Sequence, residues 1–177
     1  MPHVSKYPLI VAAIALTATP ALAIDPCLLG AWEPDYLVLG EQYLETSGAT
    51  QVNISGNMYM TFADTGIGTY LAENLTFDVI NEGMPRTEVT LNGTGEFTAD
   101  TTDGAFIMTM GPFLYNAHAT IHMGGDPMEM DIPFTEEMAP FGGAIGAYEC
   151  SDDVLEFTPT FTEGEPNVRI AKRWYRV

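Results

Sequence analysis

Apolar side chains of the kind that line ligand sites recur at every second position through the middle of the chain. Methionine is flexible and polarizable and suits apolar ligands of varied shape. One polar residue, Glu73, falls within these predicted inner faces. The pattern predicts a site for a small hydrophobic molecule, formed by Met58, Met60, Phe62, Glu73, Phe106, Met108, Met110, Met128 and Met130.

The same alternation is also typical of an ordinary packed core. Barrels of about eight strands either fill their interior with side chains or leave room for one small ligand. A structural or surface-interaction domain with a filled interior and no ligand therefore stays open as the alternative.

A second chemistry is soft-metal binding, because thioether and imidazole groups suit Cu(I). Strand parity opposes this, since His118 and His122 share one face while Met123 falls on the other. We predict no metal site, and a periplasmic copper binder remains an alternative hypothesis. Its candidate ligands are His118, His122, Met123, Met128 and Met130.

Catalytic motifs are missing from the sequence. It contains neither the G-x-S-x-G of serine hydrolases nor the H-E-x-x-H of zinc proteases. Loop acids such as Asp152 and Asp153 follow no EF-hand spacing, so calcium also has no clear site. We expect a protein that is not an enzyme and that needs no cofactor.

Charge restricts the partners. The chain has 24 acidic and 6 basic residues, for a net charge of −18. Because no basic stripe is available to neutralise phosphates, nucleic acid is excluded as a partner. Four of the cations fall at the C-terminus, at Arg169, Lys172, Arg173 and Arg176.

The N-terminus has the organisation of an export signal. Lys6 precedes an apolar run, and Ala21-Leu22-Ala23 follows as a cleavage motif. We predict a signal peptide at residues 1–23 and one domain at residues 24–177. A retained membrane anchor is the alternative, but a spanning helix takes about 20 apolar residues. The predicted location is secreted or periplasmic, with no transmembrane segment after processing.

The predicted mature chain contains two cysteines, Cys27 and Cys150. An even number of cysteines in an exported protein favours a disulfide. Two independent buried thiols are the alternative.

Period-two alternation predicts eight or nine short antiparallel strands. One predicted strand places Leu71, Leu75, Phe77 and Val79 on its inner face, with Glu73 among them. Two strands around residues 147–159 and 173–177 are expected to close the chain, with loops at 136–147 and 160–167. A short helix is predicted over residues 33–46, with Leu37, Val38, Tyr43 and Leu44 on one stripe. Gly40 counts against a helix, and a strand over residues 36–39 is the alternative. One-sided alternation favours an all-β, antiparallel up-and-down barrel, in which closure removes edge strands.

Short motifs at both ends of the predicted domain carry a family resemblance. Gly30-Ala31-Trp32 matches the G-x-W that opens lipocalin-like (calycin) barrels, and Arg176 lies in the last strand. The chain resembles small bacterial secreted domains of this type, whose function is uncharacterised. The resemblance implies that Arg176 packs over Trp32 at the closed end of the barrel. It also implies pairing of Cys27 with Cys150.

Overall fold

The computed structural model describes residues 24–133, 144–160 and 170–177. The predicted signal peptide and most of the two predicted loops lie outside these ranges. A 3₁₀-helix at Pro26–Leu28 precedes one α-helix, α1, at Tyr36–Ser47. The strands are β1 Gly30–Pro34, β2 Gln51–Phe62, β3 Ile67–Ile80, β4 Arg86–Thr102, β5 Ala105–His122, β6 Met128–Ile132, β7 Ala144–Cys150, β8 Val154–Pro159 and β9 Arg173–Arg176.

Eight of these strands form a closed antiparallel barrel. Consecutive strands are neighbours from β1 to β5 and from β7 to β9, and the β1–β9, β4–β5 and β5–β7 pairings complete the ring. The ninth strand, β6, pairs with the second half of β5, beyond the segment that β7 occupies. The predicted all-β up-and-down barrel with one short helix is therefore confirmed.

One bulge, which both neighbouring strands register, reverses the predicted faces in part of β3. The register of β2 and β3 shifts between Ser55 and Asn57, and that of β3 and β4 shifts between Ala72 and Leu75. An inserted residue moves every later side chain to the other face of the strand. Leu71 and Glu73 are therefore exposed, and the predicted inward orientation of both is wrong.

A glycine on β2, opposite this bulge, makes it possible. Gly56 has φ 90°, and a Cβ at this position would collide with the carbonyl group of Asn74. Asn74 itself has φ 50°, and its N–H donates to Asn92 Oδ1 at 2.8 Å. A bulge bends the strand that contains it, which here is β3.

The closing region contains one strand more than predicted. Residues 147–159 were expected to form one strand, and this is wrong because the chain turns between β7 and β8. In that turn the N–H of Ser151 donates to Val154 O at 2.8 Å. Serine and aspartate favour such turns because their side chains bond to nearby backbone.

The helix is confirmed, but a different face is buried. Asp35 caps α1 by accepting from the N–H groups of Leu37 and Val38, and Gly48 ends the helix with φ 71°. Leu37 is 82% exposed, so the predicted apolar stripe is wrong there. Leu39 and Gln42 are buried instead.

One end of the barrel is closed by contacts between the two ends of the described chain. The guanidinium of Arg176 lies 4.2 Å from the ring centroid of Trp32. It donates to the carbonyl oxygens of Leu29 and Cys27 at 2.7 Å each, and to that of Asp152. Trp32 Nε1–H donates to Leu28 O at 2.8 Å.

The predicted disulfide is confirmed at this closed end. It joins Cys27 to Cys150 across a sequence separation of 123 residues and ties the 3₁₀-helix to the end of β7. On the chain-entropy model a loop of this length is worth about 5 kcal/mol. The closed end is thus constrained by both a covalent bond and a cation–π contact.

Replacing Arg176 with methionine should lower the free energy of unfolding by about 3 kcal/mol, because three backbone carbonyls lose a charged donor. Urea denaturation measures the change. Lys172→Met is the matched control. Lys172 forms one half-exposed ion pair, with Glu45 at 3.7 Å, and such pairs are worth less than about 1 kcal/mol. Equal losses in the two variants would refute a special role for Arg176.

Tyr148 should make the stability of the closed end depend on alkaline pH. Burial raises its pKa to about 12, helped by the 2.7 Å hydrogen bond that it donates to Asp25 Oδ2. A raised pKa means that the fold favours the protonated phenol, whose ordinary pKa is about 10. The stabilisation is therefore complete below about pH 10 and is lost as the pH rises toward about 12.

Urea unfolding at a series of alkaline pH values tests this expectation. Tyr148→Phe should be less stable than the natural chain at neutral pH and should lose less stability across the alkaline window. Parallel stability profiles of the two proteins would count against the assignment.

Candidate functional site

Aromatic rings fill the closed half of the barrel. Tyr70 and Phe97 have centroids 4.8 Å apart, and Phe62 meets Phe97 edge-on at 5.2 Å. Phe106 packs edge-on against Phe157 at 4.8 Å. Such pairs add to the stability of a packed core. Side chains therefore occupy this half of the interior.

The predicted site residues divide between this core and the other end of the barrel. Five of them belong to the buried core: Met58, Met60, Phe62, Phe106 and Met108. Met110 is half-buried against that core, and Glu73 is exposed on the outer face. Met128 and Met130 lie on the extra strand β6. The structure therefore does not bring the nine predicted residues together in one site.

At the other end, strands β2 to β6 extend past the ring and form an apolar sheet face. The strand registers align its residues in two rows, since directly paired residues share a face. One row contains Ile54, Phe77, Val89, Ala119 and Met130, and the next contains Val52, Val79, Thr87, Ile121 and Met128. We call these ten residues the open-end wall.

The open-end wall continues the inner face of the barrel. Ile54, Phe77 and Val89 pack against the buried core cluster. The two residues of the wall that lie on β6 are nevertheless accessible. Met128 is 43% exposed and Met130 is 47% exposed. On β5, the small buried residue Ala119 pairs directly with Met130. The open-end wall therefore offers accessible apolar surface on an inward-facing side.

The helix α1 packs along the β2 side of the open-end wall. The rings of Tyr43 and Phe77 are 5.6 Å apart, and Tyr36 Oη accepts from the N–H of Met58 at 2.9 Å. A shallow pocket of about 250 Å³ lies between α1 and β2. Gly40, Leu44 and Ile54 are among the residues that line it.

Gln42 anchors the helix in this position. Its Nε2–H₂ donates to Ile170 O at 3.3 Å, and its Oε1 accepts from the N–H of Lys172 at 2.8 Å. The amide thus pairs with the backbone that leads into β9. Sequence analysis missed Gln42, because a polar residue on a helix is usually exposed.

Tyr70 was also missed. The alternation of Gly68, Tyr70 and Ala72 could have placed it inside, but the apolar residues after the bulge favoured the opposite parity. Gly68 leaves space for the ring of Phe97, which a Cβ would strike.

Tyrosines of the interior and of α1 remain neutral at physiological pH. Burial raises the pKa of Tyr43, Tyr70 and Tyr115. Burial also raises the pKa of Tyr36 to about 12, against the opposing effect of the Met58 N–H. The aromatic surroundings of the open-end wall therefore add no charge to it.

The two histidines lie on the outer face of the same strands. His118 Nδ1 is 2.9 Å from Asp131 Oδ1, and His122 Nε2 is 3.4 Å from Glu88 Oε1. Met128 and Met130 pair with Ile121 and Ala119, whose side chains project from the opposite face. Within the described ranges, no group of three or more histidine, cysteine, aspartate or glutamate side chains is arranged to hold a metal.

Comparison of the chain with protein-family models, with curated proteins and with solved structures finds no match. In the part of the chain that the structure describes, no helix is both long and apolar enough to cross a membrane. We therefore describe the class of this protein by its architecture alone. It is a closed eight-stranded antiparallel barrel with one additional strand and an apolar wall at one end.

Replacing Gln42 with methionine should detach α1 from the chain before β9. The variant keeps the side-chain size but leaves the carbonyl of Ile170 and the N–H of Lys172 without partners, which costs about 2–4 kcal/mol. Chemical denaturation measures the loss. Hydrogen exchange should show faster exchange in α1 than in the closed half of the barrel. The exposed neighbour Glu41→Met is the control, and equal effects of the two variants would contradict the anchoring role.

Proposed function

We propose that this protein is a non-enzymatic, lipocalin-like carrier, secreted or periplasmic, which binds a small hydrophobic molecule on its open-end wall. One observation carries the proposal: Met128 and Met130 share the inner face with buried residues and yet remain accessible. Exposed methionines that adjoin a buried apolar surface are typical of adaptable binding sites.

The filled closed half supports this position for the ligand. Because rings occupy that half, the ligand binds above them, against the two rows of the open-end wall. The helix α1 borders the site on the β2 side, and the tyrosine ring of Tyr43 completes the apolar surroundings. Ligand pockets are mostly apolar with few polar groups, as here.

The disulfide supports the location outside the cytoplasm. Such bonds persist in oxidising compartments and are rare where thiols are kept reduced. Together with the cleavage motif at Ala21-Leu22-Ala23, it favours export.

A second candidate function is a packed surface-interaction domain without a ligand. The close aromatic packing around Phe97 favours it. Native mass spectrometry of protein purified from its own host separates the two candidates. A retained small molecule that dissociates on activation supports the carrier, and protein of the bare chain mass supports the packed domain.

The double variant Met128→Thr/Met130→Thr should bind Nile red, a neutral fluorescent dye, about thirtyfold more weakly than the natural chain. The estimate assumes a loss of about 1 kcal/mol of apolar contact for each side chain, and both effects add in one site. Fluorescence titration gives the dissociation constants. Both methionines are partly exposed, so the fold should persist, and circular dichroism checks this.

Leu114→Thr is the matched control, because Leu114 is 72% exposed and lies outside the open-end wall. Its dissociation constant should equal that of the natural chain. Absence of dye binding by the natural chain, or equal weakening by Leu114→Thr, would reject the open-end wall as the site.

A further inference from the structure

The charges around the open-end wall restrict what it binds. The ten residues of the wall carry no ionisable group. The elements that border it are acidic. We call four exposed residues the open-end rim: Glu41 and Glu45 on α1, Glu82 in the β3–β4 loop and Asp126 in the β5–β6 loop.

The described cations offset the rim only at Glu45. Arg86 is bound to Asp78 and Glu88 on the outer face. Arg173 lies 2.6 Å from Glu156, and Arg176 belongs to the closed end.

Lys172 is already paired with Glu45, at 3.7 Å. Among the described residues, every arginine and lysine thus already has a carboxylate or carbonyl partner.

Resting on the proposed carrier function, we infer that the ligand is a cationic apolar molecule, such as an alkyl amine, and that the open-end rim selects it. An apolar body binds the methionines and aromatic rings, and its positive group meets the rim carboxylates. A fatty-acid carboxylate would meet repulsion from the rim and would find no counter-charge. Surface potentials on proteins reach several kT.

Three ligands that share one alkyl chain test this inference: decyltrimethylammonium, decanol and decanoate, each below its aggregation limit. Their dissociation constants are obtained by displacement of Nile red from the full mature chain. We expect the cation to bind most tightly and the carboxylate at least about tenfold more weakly than the cation, because a potential of only about 1 kT separates opposite unit charges by roughly sevenfold.

Salt gives a second readout. The preference should shrink between about 0.01 M and 1 M salt, as the Debye length falls from about 30 Å to about 3 Å. Decanol binding should not lose affinity over the same range.

Charge reversal locates the origin of the preference. Glu82→Lys/Asp126→Lys should reduce the preference for the cation about tenfold. Asp64→Lys/Asp100→Lys changes the net charge equally but lies toward the closed end, and it should leave most of the preference intact.

Each outcome separates this inference from the function on which it rests. Failure of all three ligands to bind refutes the carrier function itself. Equal binding of decanoate and the cation leaves the carrier function standing and overturns the charge selection. Equal effects of the two double variants overturn the assignment of that selection to the open-end rim.

Discussion

The packing of Arg176 over Trp32 is the interaction on which the barrel depends. It joins the first and last strands, which pair through Trp32 and Arg176 themselves. The same guanidinium satisfies carbonyls of the 3₁₀-helix segment and of the β7–β8 turn. One side chain therefore connects the β1–β9 pair, the 3₁₀-helix and the β7–β8 hairpin. A sheet closed in this way has no edge at this end.

The two ends of the barrel differ in structure, because the strands differ in length. Strands β1, β8 and β9 have 5, 6 and 4 residues, whereas β4 and β5 have 17 and 18. The long strands project past the ring and carry the apolar inner face with them. The bulge at Glu73–Asn74, opposite Gly56, turns this projection, and α1 covers its β2 side. The open-end wall is thus a consequence of strand length rather than of a separate domain.

Much of the architecture could be predicted from residue alternation, since each strand buries one face. Alternation could not locate the Glu73–Asn74 bulge, because an inserted residue changes parity without changing composition. Alternation also predicted one strand in place of β7 and β8, because Ser151 and its neighbours are polar residues of the kind found on the outer face of a strand. The candidate site was harder still. Met58 and Met130 have the same pattern in sequence, and only the ring of strands around them decides which one is accessible.

This difference between equivalent methionines links the fold to the proposed activity. Met58 packs inside the ring, where neighbours on every side remove it from water. Met130 lies on β6, outside the ring, where it retains the inward orientation but loses the opposing strands. Its apolar surface is then available to a ligand at little cost in stability, since the core below is already complete. In the proposed carrier, affinity would come from that surface, while the exposed acidic residues around it are free to determine the charge of what binds.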